Sequence, residues 1–89
     1  MAQKHVYFTG RVQGVGFRYT ARSLALNYHV SGYVKNLADG RVGLVVRGDN
    51  EEIEAFIDEL TMCMKENITN IIINDEPSDD SFEEFEIRF

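Results

Sequence analysis

The sequence predicts an α+β fold in which two helices cover one face of a mostly antiparallel sheet of four or five strands. Three observations support this prediction. The chain has 89 residues and 44% hydrophobic content, which suit a single small domain over residues 1–89. Two segments carry apolar residues at helical spacing, and the segments around them have the composition and alternation of strands. Their order is β-α-β-β-α-β, followed by a short fifth strand.

The first strand is predicted over residues 5–12, and Gly10 within it indicates a β-bulge or a close approach of another backbone. Its apolar face comprises Val6, Phe8 and Val12. A first helix is predicted over residues 17–29, because apolar residues recur there with a helical period. This helical stripe comprises Phe17, Ala21, Leu24, Ala25 and Tyr28.

A β-hairpin follows the first helix. Residues 32–36 and 41–48 are predicted strands, and the dipeptide Asp39-Gly40 between them is a strong hairpin turn signal. The apolar face of the third strand comprises Val42, Leu44 and Val46.

The second helix is predicted to begin with a capping box, because Glu52 follows Asp49 by three residues. Its apolar stripe comprises Ile53, Phe56, Ile57, Leu60, Cys63 and Met64. Cys63 has no cysteine to pair with and is predicted to be a small buried hydrophobe. Residues 68–74 are a predicted fourth strand and residues 77–81 a loop, and alternating Phe85, Ile87 and Phe89 indicate a fifth strand.

This order of elements predicts a ferredoxin-like sandwich. Right-handed crossovers place both helices on the same face of the sheet. Asn36 shares the strand parity of Val34, so it faces the helices and can meet the loop after the first strand. A polar amide in that position costs free energy unless it is paired. Asn36 is therefore either a structural hydrogen-bonding residue for the loop backbone or a functional group.

The loop after the first strand has the composition of an anion-binding site. Gly14 and Gly16 permit positive φ angles, so that successive N–H groups can point into one concavity. The helix that follows adds the positive end of its dipole, and Arg18 in its first turn adds a guanidinium group. A tight strand-to-helix connection with a solvated arginine is the alternative interpretation.

Charge is distributed unevenly along the chain. The net charge is −6, but residues 1–48 carry a net charge of +6 and residues 49–89 a net charge of −12. A local basic cluster within an acidic protein favours a small anion as ligand over nucleic acid. No segment approaches the ~20 apolar residues of a membrane span or has the pattern of a signal peptide. We therefore expect a cytoplasmic protein that does not act at a membrane.

Three motifs together resemble the acylphosphatase family. They are residues 10–18 (GRVQGVGFR), 32–36 (GYVKN) and 39–42 (DGRV), which match the family at its spacing over the first half of the chain. The second half matches by element order and by residues 85–89 (FEIRF). Family members often carry a Gly-Pro pair after the second helix, where this chain has residues 62–67 (MCMKEN). The shape of that connection is therefore left open.

The resemblance implies a monomeric ferredoxin-like enzyme that hydrolyses acyl phosphates without a metal or cofactor. The arginine that ends the glycine loop binds phosphate in this family, which implies that role for Arg18. The asparagine at the end of the second strand orients the attacking water, which implies that role for Asn36. Inorganic phosphate is the implied product and inhibitor. Candidate residues for binding the substrate phosphate are Gln13, Gly14, Val15, Gly16, Phe17 and Arg18.

Two other functions compete with this interpretation. An RNA-binding module of the RRM type has the same element order, but its third strand displays stacking aromatic residues, and residues 41–47 contain none. A non-catalytic anion-binding domain could keep the glycine loop, and only the joint presence of Arg18 and Asn36 argues against it. Acid–base catalysis by the protein has no obvious agent near the loop.

Overall fold

The computed structural model describes residues 1–77 and 82–89. The five strands form one sheet in the order β4-β1-β3-β2-β5, in which β2 and β5 run parallel and the other neighbours antiparallel. The predicted ferredoxin-like order is confirmed. The elements are β1 (Ala2–Gly10), α1 (Phe17–Ala25), β2 (Val30–Asn36), β3 (Val42–Gly48), α2 (Asn50–Cys63), β4 (Ile68–Glu76) and β5 (Phe85–Arg88).

The core lies between the sheet and the two helices. Six apolar side chains that face the helices from the central strands have no solvent-accessible surface, as the alternation of apolar residues predicts. They are Val6, Phe8, Val34, Val42, Leu44 and Val46. Aromatic contacts join the layers: the rings of Phe8 and Phe17 lie 4.9 Å apart, and those of Phe56 and Phe85 lie 5.4 Å apart. The helical contributors to this core include Phe17, Ala21, Ala25, Ile53, Phe56, Ile57 and Leu60.

Gly10 ends β1 at the predicted irregularity. The register between β1 and β4 shifts between Thr9 and Gly10, where the φ angle of Gly10 is 132°. A Cβ atom on Gly10 would lie 2.3 Å from the backbone oxygen of Asn67. Both the bulge and the close backbone approach are therefore confirmed, and only glycine fits this position.

The predicted hairpin joins β2 and β3 through residues 37–41. The backbone N–H of Leu37 donates to the oxygen of Arg41 at 2.8 Å, and Gly40 has a φ angle of 93°. The Asp39 carboxylate accepts hydrogen bonds from the backbone and side chain of Arg41, which lower its pKa. This hairpin fixes the position of Asn36 at its base.

Helix α1 ends at Ala25, four residues before its predicted end at residue 29. The backbone continues in turns, in which Asn27 and Tyr28 donate to Leu24 and Ala25. Tyr28 still packs against the core as its apolar spacing predicts. Its hydroxyl donates to the Glu59 carboxylate, and this hydrogen bond raises the pKa of the phenol.

The capping box predicted at the start of α2 is wrong. Asp49 occupies the N-cap position, but its side chain makes no capping hydrogen bond. The Glu52 carboxylate instead accepts a hydrogen bond from the backbone N–H of His29 at 2.7 Å. The Glu52 carboxylate, which the sequence spacing predicts to cap α2, is therefore hydrogen-bonded to the backbone of the α1–β2 connection instead.

The prediction that Cys63 is buried is also wrong, because its side chain is exposed at the end of α2. Met64 is buried and lies four residues after buried Leu60, so it is on the same core-facing side of the helix. The backbone N–H groups of Asn67 and Ile68 both donate to the oxygen of Met64, which makes a tight turn without the Gly-Pro pair. Of the loop predicted over residues 77–81, all but Pro77 lies outside the described residues.

Neither helix in the described part of the chain is long and apolar enough to cross a membrane.

Candidate active site

The loop between β1 and α1 has the backbone geometry of an anion-binding nest. Gly14 and Gly16 have φ angles of 75° and 78°, whereas the φ angle of Val15 between them is not positive. An alternation in the sign of φ is a feature of nests, in which successive N–H groups turn toward the same side. A Cβ atom on either glycine would meet nothing within 4 Å, so glycine is required there for its conformation rather than for space.

The amide groups of this loop are without partners in the described chain. Gly16 caps α1 without a side-chain hydrogen bond, and the first turn of the helix contains no acidic residue. The first backbone donor in this region is Thr20, whose N–H bonds to the oxygen of Gly16 at 3.0 Å. The amides of residues 13–19 donate to no described backbone or side-chain acceptor. They can therefore donate to a bound anion at the positive end of the helix.

Arg18 is held at the edge of the loop by the end of the last strand. Its Nη1 donates to the backbone oxygen of Arg88 at 3.3 Å, and its guanidinium carbon lies 4.7 Å from the centre of the Phe89 ring. Arginine carries five N–H donors, so this arrangement leaves most of the fork for a ligand. The contact with Arg88 and Phe89 orients the guanidinium before a ligand arrives.

Asn36 meets the loop across the end of β2. Its side-chain oxygen Oδ1 is buried and has no hydrogen-bond partner in the described chain. This observation disfavours a structural role in which Asn36 hydrogen-bonds the loop backbone. A buried acceptor without a partner costs roughly 1–3 kcal/mol, so Oδ1 is an acceptor that a ligand or a water can use.

A cavity of about 140 Å³ joins these features. It has the volume of roughly four or five water molecules. Among the described residues that line it there is no carboxylate and no histidine. The structure thus brings together the glycine loop, the candidate arginine and the candidate asparagine. The residues that line the cavity are Val12, Gly14, Gly16, Phe17, Arg18, Tyr19 and Asn36.

The sequence model of the Acylphosphatase family matches residues 4–87, a span that includes the whole glycine loop and Asn36. The chain belongs to the acylphosphatase family. The acylphosphatase of Bacillus velezensis is 34% identical over 90 aligned residues, which cover 100% of both chains. The acylphosphatase of Syntrophus aciditrophicus is 50% identical over 58 residues, which are 65% of this chain and 60% of that protein. This second alignment spans less than two thirds of the relative.

Solved structures agree with membership of the acylphosphatase family. The crystal structure of acylphosphatase from Bacillus subtilis superposes with a TM-score of 0.89 at 30% identity over 100% of both chains. Full-length HypF, solved in a phosphate- and nucleotide-bound form, matches with a TM-score of 0.84 at 31% identity. That match covers 99% of this chain and 12% of HypF, so this fold also occurs as a small part of a longer chain. The family and fold predicted from the sequence are confirmed.

Gln13 has a side-chain role that the sequence interpretation missed. In this member of the acylphosphatase family, its Nε2 donates to the backbone oxygens of Leu37 at 2.8 Å and Arg41 at 2.9 Å. These bonds tie the glycine loop to the base of the β2–β3 hairpin, directly beyond Asn36. The only sequence signal is a long polar side chain between buried Val12 and the first loop glycine.

We predict that Gln13→Ala lowers the free energy of unfolding by about 1–2 kcal/mol, because two partly buried hydrogen bonds are lost. Gln13→Glu should cost more, since a carboxylate would face two carbonyl oxygens. Urea unfolding followed by circular dichroism measures both effects. Asn70→Ala is the matched control, because Asn70 is exposed. If both Gln13 variants unfold at the same urea concentration as the wild type, the hydrogen bonds from Gln13 to the hairpin do not stabilise the protein in solution.

Proposed function

We propose that this protein hydrolyses the carboxyl–phosphate bond of acyl phosphates to a carboxylate and inorganic phosphate. Membership of the acylphosphatase family supports the reaction. The observation that carries the mechanism is the buried, unpaired Oδ1 of Asn36 in a cavity that it shares with the glycine loop and Arg18.

In this proposal the substrate phosphate lies in the nest formed by the backbone amides of residues 13–18. Donors of this kind at a helix N-terminus favour an anion without any protein carboxylate or metal. Arg18 binds two phosphate oxygens through its planar fork, which adds charge and fixes orientation. Inorganic phosphate, the product, fits the same donors and is expected to inhibit competitively.

Asn36 positions the attacking water. Its Oδ1 accepts one hydrogen of the water, which leaves a lone pair of the water oxygen directed at phosphorus. The new bond from water oxygen to phosphorus forms as the bond to the carboxyl oxygen breaks, and the carboxylate leaves with the electron pair. The proton of the water passes to an oxygen of the substrate's own phosphate, so no protein base is required.

The composition of the cavity suits this chemistry. An acyl phosphate has a good leaving group, so its hydrolysis needs positioning and stabilisation of phosphoryl charge more than proton transfer by the protein. Within residues 1–77 and 82–89, the cavity lining provides hydrogen-bond donors and one side-chain amide, and neither a histidine nor a carboxylate.

Turnover of acetyl phosphate tests the proposed function. Purified protein is expected to release phosphate and acetate, and treatment with EDTA is expected to leave the rate unchanged. Arg18→Ala serves as the inactive comparison, because any contaminating phosphatase would persist in its preparation. A wild-type rate no higher than that of Arg18→Ala would leave a non-catalytic anion-binding domain as the better interpretation.

We also predict a flat pH–rate profile between about pH 5.5 and 8, the range in which histidine normally titrates. Both histidines lie away from the cavity. His5 contacts Glu76 and Tyr7 on the sheet face opposite the helices, and His29 follows the far end of α1. Arginine stays protonated in this range and an amide does not ionise.

Measurement of kcat/KM across this range with two acyl phosphates checks the profile. Any fall toward acid should follow protonation of the substrate's phosphate and should therefore shift with the substrate. His5→Gln and His29→Gln are expected to have the wild-type profile. A limb near pH ~6.5 that disappears in either variant would mean that the protein supplies an acid or base, contrary to this mechanism.

A further inference from the structure

Tyr19 stands at the mouth of the candidate active site. It lines the cavity together with Arg18 and Asn36, yet 65% of its surface is exposed. It lies in the first turn of α1, where side chains lean toward the helix N-terminus. The ring therefore lies on the side of the glycine loop. Val15 in that loop is a second exposed apolar side chain, with 38% of its surface accessible.

Tyr19 differs from the other tyrosines of the chain. Its ring and hydroxyl make no hydrogen bond, aromatic contact or cation–π contact within residues 1–77 and 82–89. Each of the other three has such a partner: Tyr7 contacts His5 and Arg41, Tyr28 contacts Glu59 and Phe56, and Tyr33 contacts Arg88. The ring of Phe89, also close to the site, already lies against the Arg18 guanidinium. Tyr19 is thus an aromatic surface beside the cavity that no other described residue engages.

The cavity is too small to hold the acyl group of a substrate together with its phosphate, so the acyl group must lie outside, near Tyr19. A cavity of about 140 Å³ has room for a phosphate group and an attacking water, and drug-sized ligands occupy pockets of ~300 Å³ or more. The acyl group must then lie outside the cavity. In-line attack by a water at Asn36 also sends the leaving carboxylate away from Asn36, toward the mouth.

We propose that Tyr19 forms a contact surface for the acyl group and favours acyl phosphates with an aromatic or bulky apolar acyl part. This inference rests on the proposed function of the same site. In this inference Tyr19 determines the preference for the acyl group, whereas Arg18 and Asn36 act on the phosphate and the attacking water. A small acyl group such as acetyl gains little from this surface, because it is too short to cover the ring.

The test compares kcat/KM for benzoyl phosphate and acetyl phosphate. Tyr19→Ala is expected to lower the benzoyl-to-acetyl ratio of kcat/KM by about three- to tenfold, the worth of one aromatic pair contact. Tyr19→Phe should keep the wild-type ratio, since the ring remains. Leu26→Ala is the matched control, because Leu26 is 79% exposed at the opposite end of α1. An unchanged ratio in Tyr19→Ala, or an equal loss with both substrates, would overturn the proposal.

A binding measurement separates this inference from the proposed function. Calorimetry with benzylphosphonate and methylphosphonate needs no turnover. The wild-type protein is expected to bind the benzyl compound more tightly, and Tyr19→Ala should lose that preference. If acyl phosphates are not hydrolysed but the preference is present and depends on Tyr19, the proposed reaction fails and the contact surface remains. Equal preferences in wild type and Tyr19→Ala would reject the surface whatever the activity.

Discussion

Arg18→Ala is expected to remove nearly all turnover, and Arg18→Lys is not expected to restore it. Loss of a charged hydrogen-bonding pair costs ~1.5–3 kcal/mol in ground-state binding. The loss is larger where the same fork holds the charge of the transition state, so kcat/KM should fall by at least ~10²-fold. Lysine brings a point charge, which cannot reproduce two parallel hydrogen bonds.

The structure adds a reason for the failure of lysine. The Arg18 guanidinium is oriented by the backbone oxygen of Arg88 and by the ring of Phe89. An ammonium group has no planar face to lie against that ring in the same way, and its flexible stem would be ordered only when substrate binds.

Steady-state kinetics with acetyl phosphate measures this effect. Arg22→Ala is the matched control, because Arg22 is an exposed arginine one turn further along α1. It should keep the wild-type kcat/KM, which separates a specific contact from a change in overall charge. Circular dichroism and urea unfolding establish that each variant is folded. A folded Arg18 variant with wild-type kcat/KM would remove Arg18 from the phosphate role.

The meeting of Asn36 with the glycine loop could be predicted because it depends on regular geometry. Strand alternation puts Asn36 on the face of Val34, and right-handed crossovers bring that face under both helices. Buried Val34 and the shared cavity agree with this placement. The positive φ angles of Gly14 and Gly16 follow equally from local chemistry, since glycine is the residue that adopts them without strain.

Contacts between distant side chains could not be predicted in this way. The hydrogen bond from Arg18 to Arg88 joins residues 70 positions apart, and that from Gln13 to Leu37 joins residues 24 apart. No periodicity or turn signal encodes such pairs. They depend on how α1, the hairpin and β5 pack, which local patterns do not specify.

The two wrong predictions have different physical origins. Glu52 has the spacing of a capping box, but the backbone N–H of His29 from another element reaches its carboxylate first. Cys63 has helical spacing, but Met64 takes the inward position at the end of α2. A tertiary contact overrides local spacing at Glu52, whereas at the end of α2 the next residue along the chain is the buried one.

Asn36→Ala is expected to lower kcat by ~10²–10³-fold, the loss typical of one preorganised polar group. Asn36 contacts the water rather than the phosphate in the proposed mechanism, so competitive inhibition by inorganic phosphate should stay close to wild type. The free energy of unfolding should not fall by the amount typical of a lost hydrogen bond, because the buried Oδ1 has no described partner to lose.

Initial rates with acetyl phosphate and a series of phosphate concentrations give kcat and the inhibition constant in one experiment. Urea unfolding of the same preparation gives the stability. The Arg18 variants should lose phosphate inhibition together with turnover, whereas Asn36→Ala should lose turnover alone, so the pair separates binding from chemistry. A large rise in the phosphate inhibition constant of Asn36→Ala with kcat intact would reverse the assignment. Asn36 would then be a phosphate ligand, and the attacking water would need another group to hold it.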